Sequence, residues 1–67
     1  MNKILLCEIK DCADTVALVH LCGGDSAGQL NLEVQRVCDT YNLDATALAQ
    51  FKQQLLNRLQ QQYNIRG

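Results

Sequence analysis

The fold is decided by residues 33–63, which read EVQRVCDTYNLDATALAQFKQQLLNRLQQQY. Apolar residues recur there at spacings of three and four on both sides of one short break, as they do along one side of a helix. Asn42 tolerates the left-handed backbone conformation that ends a helix. Asp44 can cap the next helix by accepting from backbone N–H groups. The stretch therefore predicts two amphipathic helices, at about 27–41 and 45–63, joined by a tight turn.

The N-terminal part of the chain predicts a further helix at about 3–22. Its apolar residues recur at spacings of four and three: Leu5, Ile9, Cys12, Val16 and Val19. A competing interpretation places a short strand at 3–9, but residues 4–7 lack the period-two alternation of a half-buried strand. Gly23 can supply the left-handed residue that ends the first helix.

Residues 23–28 form the linker between the first and second helices. Ser26 and Gln29 have the spacing of a capping box, with Ser26 as the N-cap. Gly28 and Asn31 weaken the first turn, so the second helix could begin nearer Leu32. Together, these patterns predict an all-α fold of three helices in a single domain, 1–67, with a long C-terminal helix.

Length and composition indicate a small aliphatic core. The chain has 67 residues, of which 48% are hydrophobic, with one Phe, two Tyr and no Trp. A domain of this size gains barely enough free energy from burial to offset its loss of conformational entropy. We therefore expect a homodimer, in which a second copy covers surplus apolar surface.

The charge pattern is mild. Residues 1–43 hold six acids and three bases, a balance of −3, while residues 44–67 hold one acid and three bases, a balance of +2. No stretch is long and apolar enough for a membrane span or a secretory signal. We expect a cytoplasmic protein with reduced cysteines and no membrane partner.

Neither catalysis nor metal binding is predicted. The potential metal ligands are Cys7, Cys12, His20, Cys22 and Cys38. They contain no C-x2-C or H-x3-H pair, the spacings that zinc sites prefer. No nucleophile–base pair, paired carboxylates or phosphate-binding glycine loop is recognisable. We expect no cofactor, no metal and no enzymatic activity, and we expect Cys12 and Cys38 to be small core residues.

A helix-turn-helix at residues 34–53 is one functional hypothesis. Cys38 is the small residue that such a corner needs, Asn42 lies at the turn, and Leu43 follows it. The residues that would contact DNA are Arg36, Thr46, Gln50, Lys52 and Gln53. Few Lys and Arg side chains are available to contact the DNA phosphates, and two nearby acidic side chains would repel these phosphates. DNA-binding transcription regulation is therefore the alternative hypothesis.

Surplus apolar residues favour protein–protein contact instead. Leu18, Leu32 and Leu56 lie beside the main apolar stripes rather than inside them. Wide apolar faces on small helical proteins usually contact another copy or a partner. The alternative explanation is a core wider than these stripes. We expect a small intracellular regulatory or adaptor protein that binds through apolar helix faces.

Overall fold

The computed structural model describes residues 3–65, which form three helices. They are α1 (Lys3–Leu21), α2 (Ser26–Tyr41) and α3 (Ala45–Tyr63). The predicted all-α fold is confirmed, and residues 3–9 are helix rather than strand. The described part of the chain measures 31 × 20 × 16 Å. None of the three helices is both long and apolar enough to cross a bilayer.

α1 is the central element of the fold. It packs against both α2 and α3, whereas α2 and α3 share the smallest of the three helix–helix contacts. The core is aliphatic around one aromatic ring: Leu5, Ile9, Cys12, Ala13, Val16, Ala17, Leu30, Val34, Val37, Phe51, Leu55, Leu59 and Ile65. The predicted stripes supply most of it, although Val19 is only half-buried.

A residue with left-handed backbone follows each helix. Gly23 has φ 79°, Asn42 φ 54° and Asn64 φ 56°. After α2, the Leu43 N–H donates to the Cys38 carbonyl at 3.1 Å, so the chain turns sharply towards α3. After α3, the same kind of turn brings Ile65 back into the core, a contact that the helical spacing did not predict.

The predicted capping box at Ser26 is wrong. Asp25 is the N-cap of α2, and its Oδ1 accepts from the Gly28 N–H at 3.0 Å. A carboxylate accepts more strongly than a hydroxyl and complements the positive end of the helix dipole. Gly28 permits this, because a Cβ at that position would overlap the Asp25 carboxylate. α2 therefore begins at Ser26 and not near Leu32.

The predicted cap of α3 is confirmed. The Asp44 Oδ1 accepts from the Ala47 N–H at 2.7 Å, and the Leu48 N–H donates to the Asp44 carbonyl at 2.9 Å. Two residues, Asn42 and Asp44, thus end one helix and begin the next within a very short connection. This short connection produces the sharp turn between α2 and α3 that the helix-turn-helix hypothesis requires.

Candidate functional site

α1 exposes most of the large apolar side chains that solvent reaches. Of six such residues within 3–65, four belong to this helix. Leu18 is 63% exposed and Leu21 is 78% exposed. At alternating spacings of three and four, one exposed stripe of α1 contains Ile4, Cys7, Asp11, Asp14, Leu18 and Leu21. We call these six residues the outer stripe, and Asp14 is its contact with α3.

The outer stripe is apolar at both ends and acidic at its centre. Asp14 accepts a hydrogen bond from the Tyr63 hydroxyl, which raises the pKa of Tyr63 above its usual range. The Asp11 carboxylate forms no hydrogen bond or ion pair with any residue from 3 to 65. Asp11 therefore leaves a negative charge available to a binding partner, beside Asp14 and between the two apolar ends of the stripe.

The three leucines predicted to bind a partner occupy different environments. Leu18 belongs to the outer stripe, and Leu32 projects from α2 with 67% of its surface exposed. Leu56 is half-buried on α3 and packs against the core. The three residues thus lie on three helices and do not share one patch. The half-buried position of Leu56 fits the alternative explanation, in which the core is wider than the predicted apolar stripes.

A polar cluster joins α1 to α2. Arg36 Nη2 lies 3.2 Å from Glu8 Oε1 and 3.0 Å from Glu33 Oε2. The Tyr41 hydroxyl donates to Glu8 Oε2 at 2.8 Å, and Gln29 donates to Glu33 Oε1 at 2.9 Å. Arg36, predicted to contact phosphate, is thus already bound to two carboxylates. Releasing it to DNA would leave both of these acids without their cation.

The pKa values within this cluster follow from its hydrogen bonds. Donation from Arg36, and next from Tyr41, lowers the pKa of Glu8. The bond to Glu8 raises the pKa of the Tyr41 hydroxyl. The two carboxylates raise the pKa of Arg36, with Glu8 contributing first. Arg36 and Tyr41 therefore both link α2 to α1 through the Glu8 carboxylate.

The cysteines have distinct environments. Cys7 and Cys22 are exposed, Cys38 is half-buried, and all four thiols are free. Cys12 is fully buried beside the polar cluster, and its Sγ donates to Glu33 Oε2 at 3.6 Å. Burial raises the pKa of this thiol to about 11. No group of three or more His, Cys, Asp or Glu side chains within the described residues could hold a metal ion.

α3 carries the residues predicted to read DNA. Thr46, Gln50 and Gln53 are exposed and lie at spacings of four and three, on the side opposite Phe51. Gln53 donates to Asn57 Oδ1 at 3.0 Å. Lys52 is exposed on the same helix but lies about 160° from Gln50 around the helix axis. This surface has the side chains for base contacts but little positive charge for phosphates.

The outer stripe was missed as a unit in the sequence, although its spacing is visible there. α1 carries two interleaved stripes, and the more apolar one is the core. The other, the outer stripe, has two aspartates at its centre, so it does not form the continuous apolar face that indicates a binding surface in a sequence. Its function has to be inferred from burial, contacts and charge, because the chain matches no model of a known protein family, no curated protein and no solved structure.

Proposed function

We propose that this protein is a small regulatory or adaptor protein that binds a helix of another protein along the outer stripe. The observation that carries the proposal is the exposure of Ile4, Leu18 and Leu21 on one side of α1. Monomeric domains rarely leave several large apolar side chains in register on one helix without a partner. A second helix, laid along the stripe, would bury both apolar ends through knobs-into-holes packing.

Charge selects the kind of partner helix. Asp11 and Asp14 lie between the two apolar ends, so the complementary helix carries Lys or Arg at its centre and apolar residues at both ends. Like charges brought together at an interface cost several kcal/mol. Two outer stripes facing each other would bring four carboxylates together. A different protein is therefore a better partner for this surface than a second copy.

Self-association through another surface is a second proposal. It is supported by the opposite charges of residues 1–43 and 44–67, which would attract α3 of one copy to the acidic part of another. The exposed Leu32 on α2 could add apolar area to such a contact. Sedimentation velocity at increasing concentration tests it, and a single monomeric species at high micromolar concentration would contradict it.

DNA binding through the helix-turn-helix remains the alternative function. The shared exposed face of Thr46, Gln50 and Gln53 supports it. The pairing of Arg36 with Glu8 and Glu33 weighs against it, because phosphate contacts supply most of the affinity of such proteins.

The experiment for the outer stripe uses a synthetic helical peptide of roughly three heptads. One version carries Leu at both ends and Arg at the central interface positions, and a matched version carries Glu there. We expect the Arg peptide to bind at least ~10-fold more tightly in calorimetry. The variant Leu18→Asp should abolish this binding, because it places a charge in an apolar contact.

Two matched variants complete the test. Leu32→Asp changes an equally exposed leucine on another helix, so it should leave peptide binding unchanged. Asp11→Arg combined with Asp14→Arg should reverse the preference towards the Glu peptide. Leu56→Asp is unsuitable here, because Leu56 packs against the core and its loss would disturb the fold. Equal binding of both peptides, or tight binding to the Leu18→Asp variant, would rule out the proposed surface.

A further inference from the structure

A groove runs between α1 and α3, and none of the six outer-stripe residues lines it. Its volume is about 610 Å³. Leu6 and Ile9 contribute an apolar wall from α1, and α3 contributes Gln54, Asn57, Arg58, Gln61 and Gln62. The groove thus combines two aliphatic side chains, a row of amides and one cation.

Arg58 is the cation of this groove. It forms no hydrogen bond or ion pair with any residue from 3 to 65, and its Nε is buried without an acceptor. This contrasts with Arg36, which is bound to two carboxylates. A buried donor without an acceptor is unfavourable, and a guanidinium presents a planar fork that matches a carboxylate. Arg58 is therefore placed to gain from an incoming acid.

The amides beside Arg58 suit an extended peptide. Gln54, Asn57 and Gln61 lie at spacings of three and four along α3, which covers about 10 Å of helix. An extended peptide covers that length with roughly three residues. Its backbone N–H and C=O groups need partners, and each side-chain amide offers both donors and an acceptor.

We propose that this groove binds a short extended segment of another protein that carries an acidic side chain beside an apolar one. The carboxylate pairs with the guanidinium of Arg58, the apolar side chain contacts Leu6 and Ile9, and the amides of α3 bond the peptide backbone. The lining contains one cation and no other charged side chain, which matches a monovalent carboxylate better than a doubly charged phosphate. This site is separate from the outer stripe and does not depend on it.

The test is a nuclear magnetic resonance titration of the ¹⁵N-labelled protein. The probes are acetyl-Leu-Glu-Leu-amide, the uncharged acetyl-Leu-Gln-Leu-amide, and inorganic phosphate. We expect the Glu peptide to shift the Arg58 Nε–H and the side-chain amides of residues 54–62. We expect the Gln peptide to bind at least ~10-fold more weakly, because charge-assisted hydrogen bonds are about twice as strong as neutral ones.

Variants then assign the effect to Arg58. Arg58→Gln should remove the difference in affinity between the two peptides. Lys52→Gln removes a cation from the same helix outside the groove, so it should preserve this difference. Leu18→Asp should also preserve it, which separates this site from the proposed outer stripe. Equal binding of both peptides to the unmodified protein would overturn the proposal, as would an unchanged difference in Arg58→Gln. Tighter binding of phosphate than of the Glu peptide at Arg58 would instead identify a phosphate site.

Discussion

Asn42 shows how one residue sets the connection between two helices. Its backbone has φ 54°, a conformation that costs most L-residues about 1–2 kcal/mol and that glycine adopts freely. We therefore expect Asn42→Ala to lower the free energy of unfolding by about 1 kcal/mol and Asn42→Gly to leave it nearly unchanged. Urea denaturation of the two variants measures the difference. Equal stability of Ala and Gly at this position would contradict the explanation.

Cys12 gives the stability of the protein a distinct dependence on alkaline pH. Its folded pKa is about 11, above the value of 9.0 for a free thiol. The unfolded chain therefore loses this proton first, so the contribution is complete below about pH 9 and is lost as pH rises towards 11. We expect Cys12→Ala to have a flatter stability curve than the unmodified protein over this interval.

Chemical denaturation at a series of alkaline pH values measures this effect. Val16→Ala is the control, because Val16 is equally buried in α1 but does not titrate. Its curve should run parallel to that of the unmodified protein, at lower stability. Tyr63 contributes the same alkaline loss to all three proteins, and Tyr41 nearly the same, because the hydrogen bond to Glu8 is the main cause of its raised pKa and Cys12 is the smallest. A Cys12→Ala curve parallel to the original would show that the thiol does not contribute.

Caps illustrate what local sequence can and cannot predict. Asp44 and Asn42 were predicted correctly, because each is the only strong candidate in its turn. Around the linker, Asp25 and Ser26 are adjacent and both can cap a helix. The choice depends on Gly28, whose missing Cβ lets the Asp25 carboxylate reach the backbone. That steric detail becomes visible only in three dimensions.

At the scale of elements, the three helices were predictable to within a residue at each end. Their apolar spacing is regular, and left-handed or capping residues lie at the breaks. Ile65 was not predicted to join the core, because it lies beyond the last turn of α3 and belongs to no stripe. Its burial follows from the turn at Asn64, which directs the chain back over the helix end.

The exposed face of α3 supports a prediction that separates DNA binding from protein binding. If α3 reads DNA, Gln50→Ala should lose on the order of 1–3 kcal/mol of discrimination at one base pair. Lys52→Ala should weaken binding to every sequence and flatten its salt dependence. We expect neither change to affect binding of the Arg-centred peptide. Fluorescence anisotropy with labelled DNA measures this, and sequence-specific binding lost on changing Gln50 would establish the alternative function.

For the whole molecule, Phe51 is the largest fully buried side chain. It is the one aromatic ring in an aliphatic core, so its removal leaves a cavity that the neighbouring residues cannot easily fill. We expect Phe51→Ala to lower the free energy of unfolding by roughly 3–5 kcal/mol. Thermal or urea denaturation followed by circular dichroism measures this loss. A decrease of less than about 1 kcal/mol would indicate a loosely packed centre.

The candidate sites were less predictable than the fold, for a physical reason. The outer stripe is encoded locally in α1, but which of two stripes is buried depends on where α2 and α3 pack. The groove depends on residues of α1 and α3 that are about 50 positions apart in the chain. Whether Arg36 or Arg58 forms an ion pair depends on which acidic side chains the packing of the helices brings close to it. Helical periodicity contains none of that information.

The central position of α1 has a consequence for protein synthesis. α1 leaves the ribosome before α2 and α3, yet the residues that cover its inner face extend to Ile65. An isolated helix of this length is marginal in water, so the nascent segment gains little protection until most of the chain has been translated. Until then its aliphatic residues are open to chaperones and proteases. A nascent chain stalled before Ile65 has left the exit tunnel should therefore be sensitive to protease, and one stalled after Ile65 has emerged should be resistant.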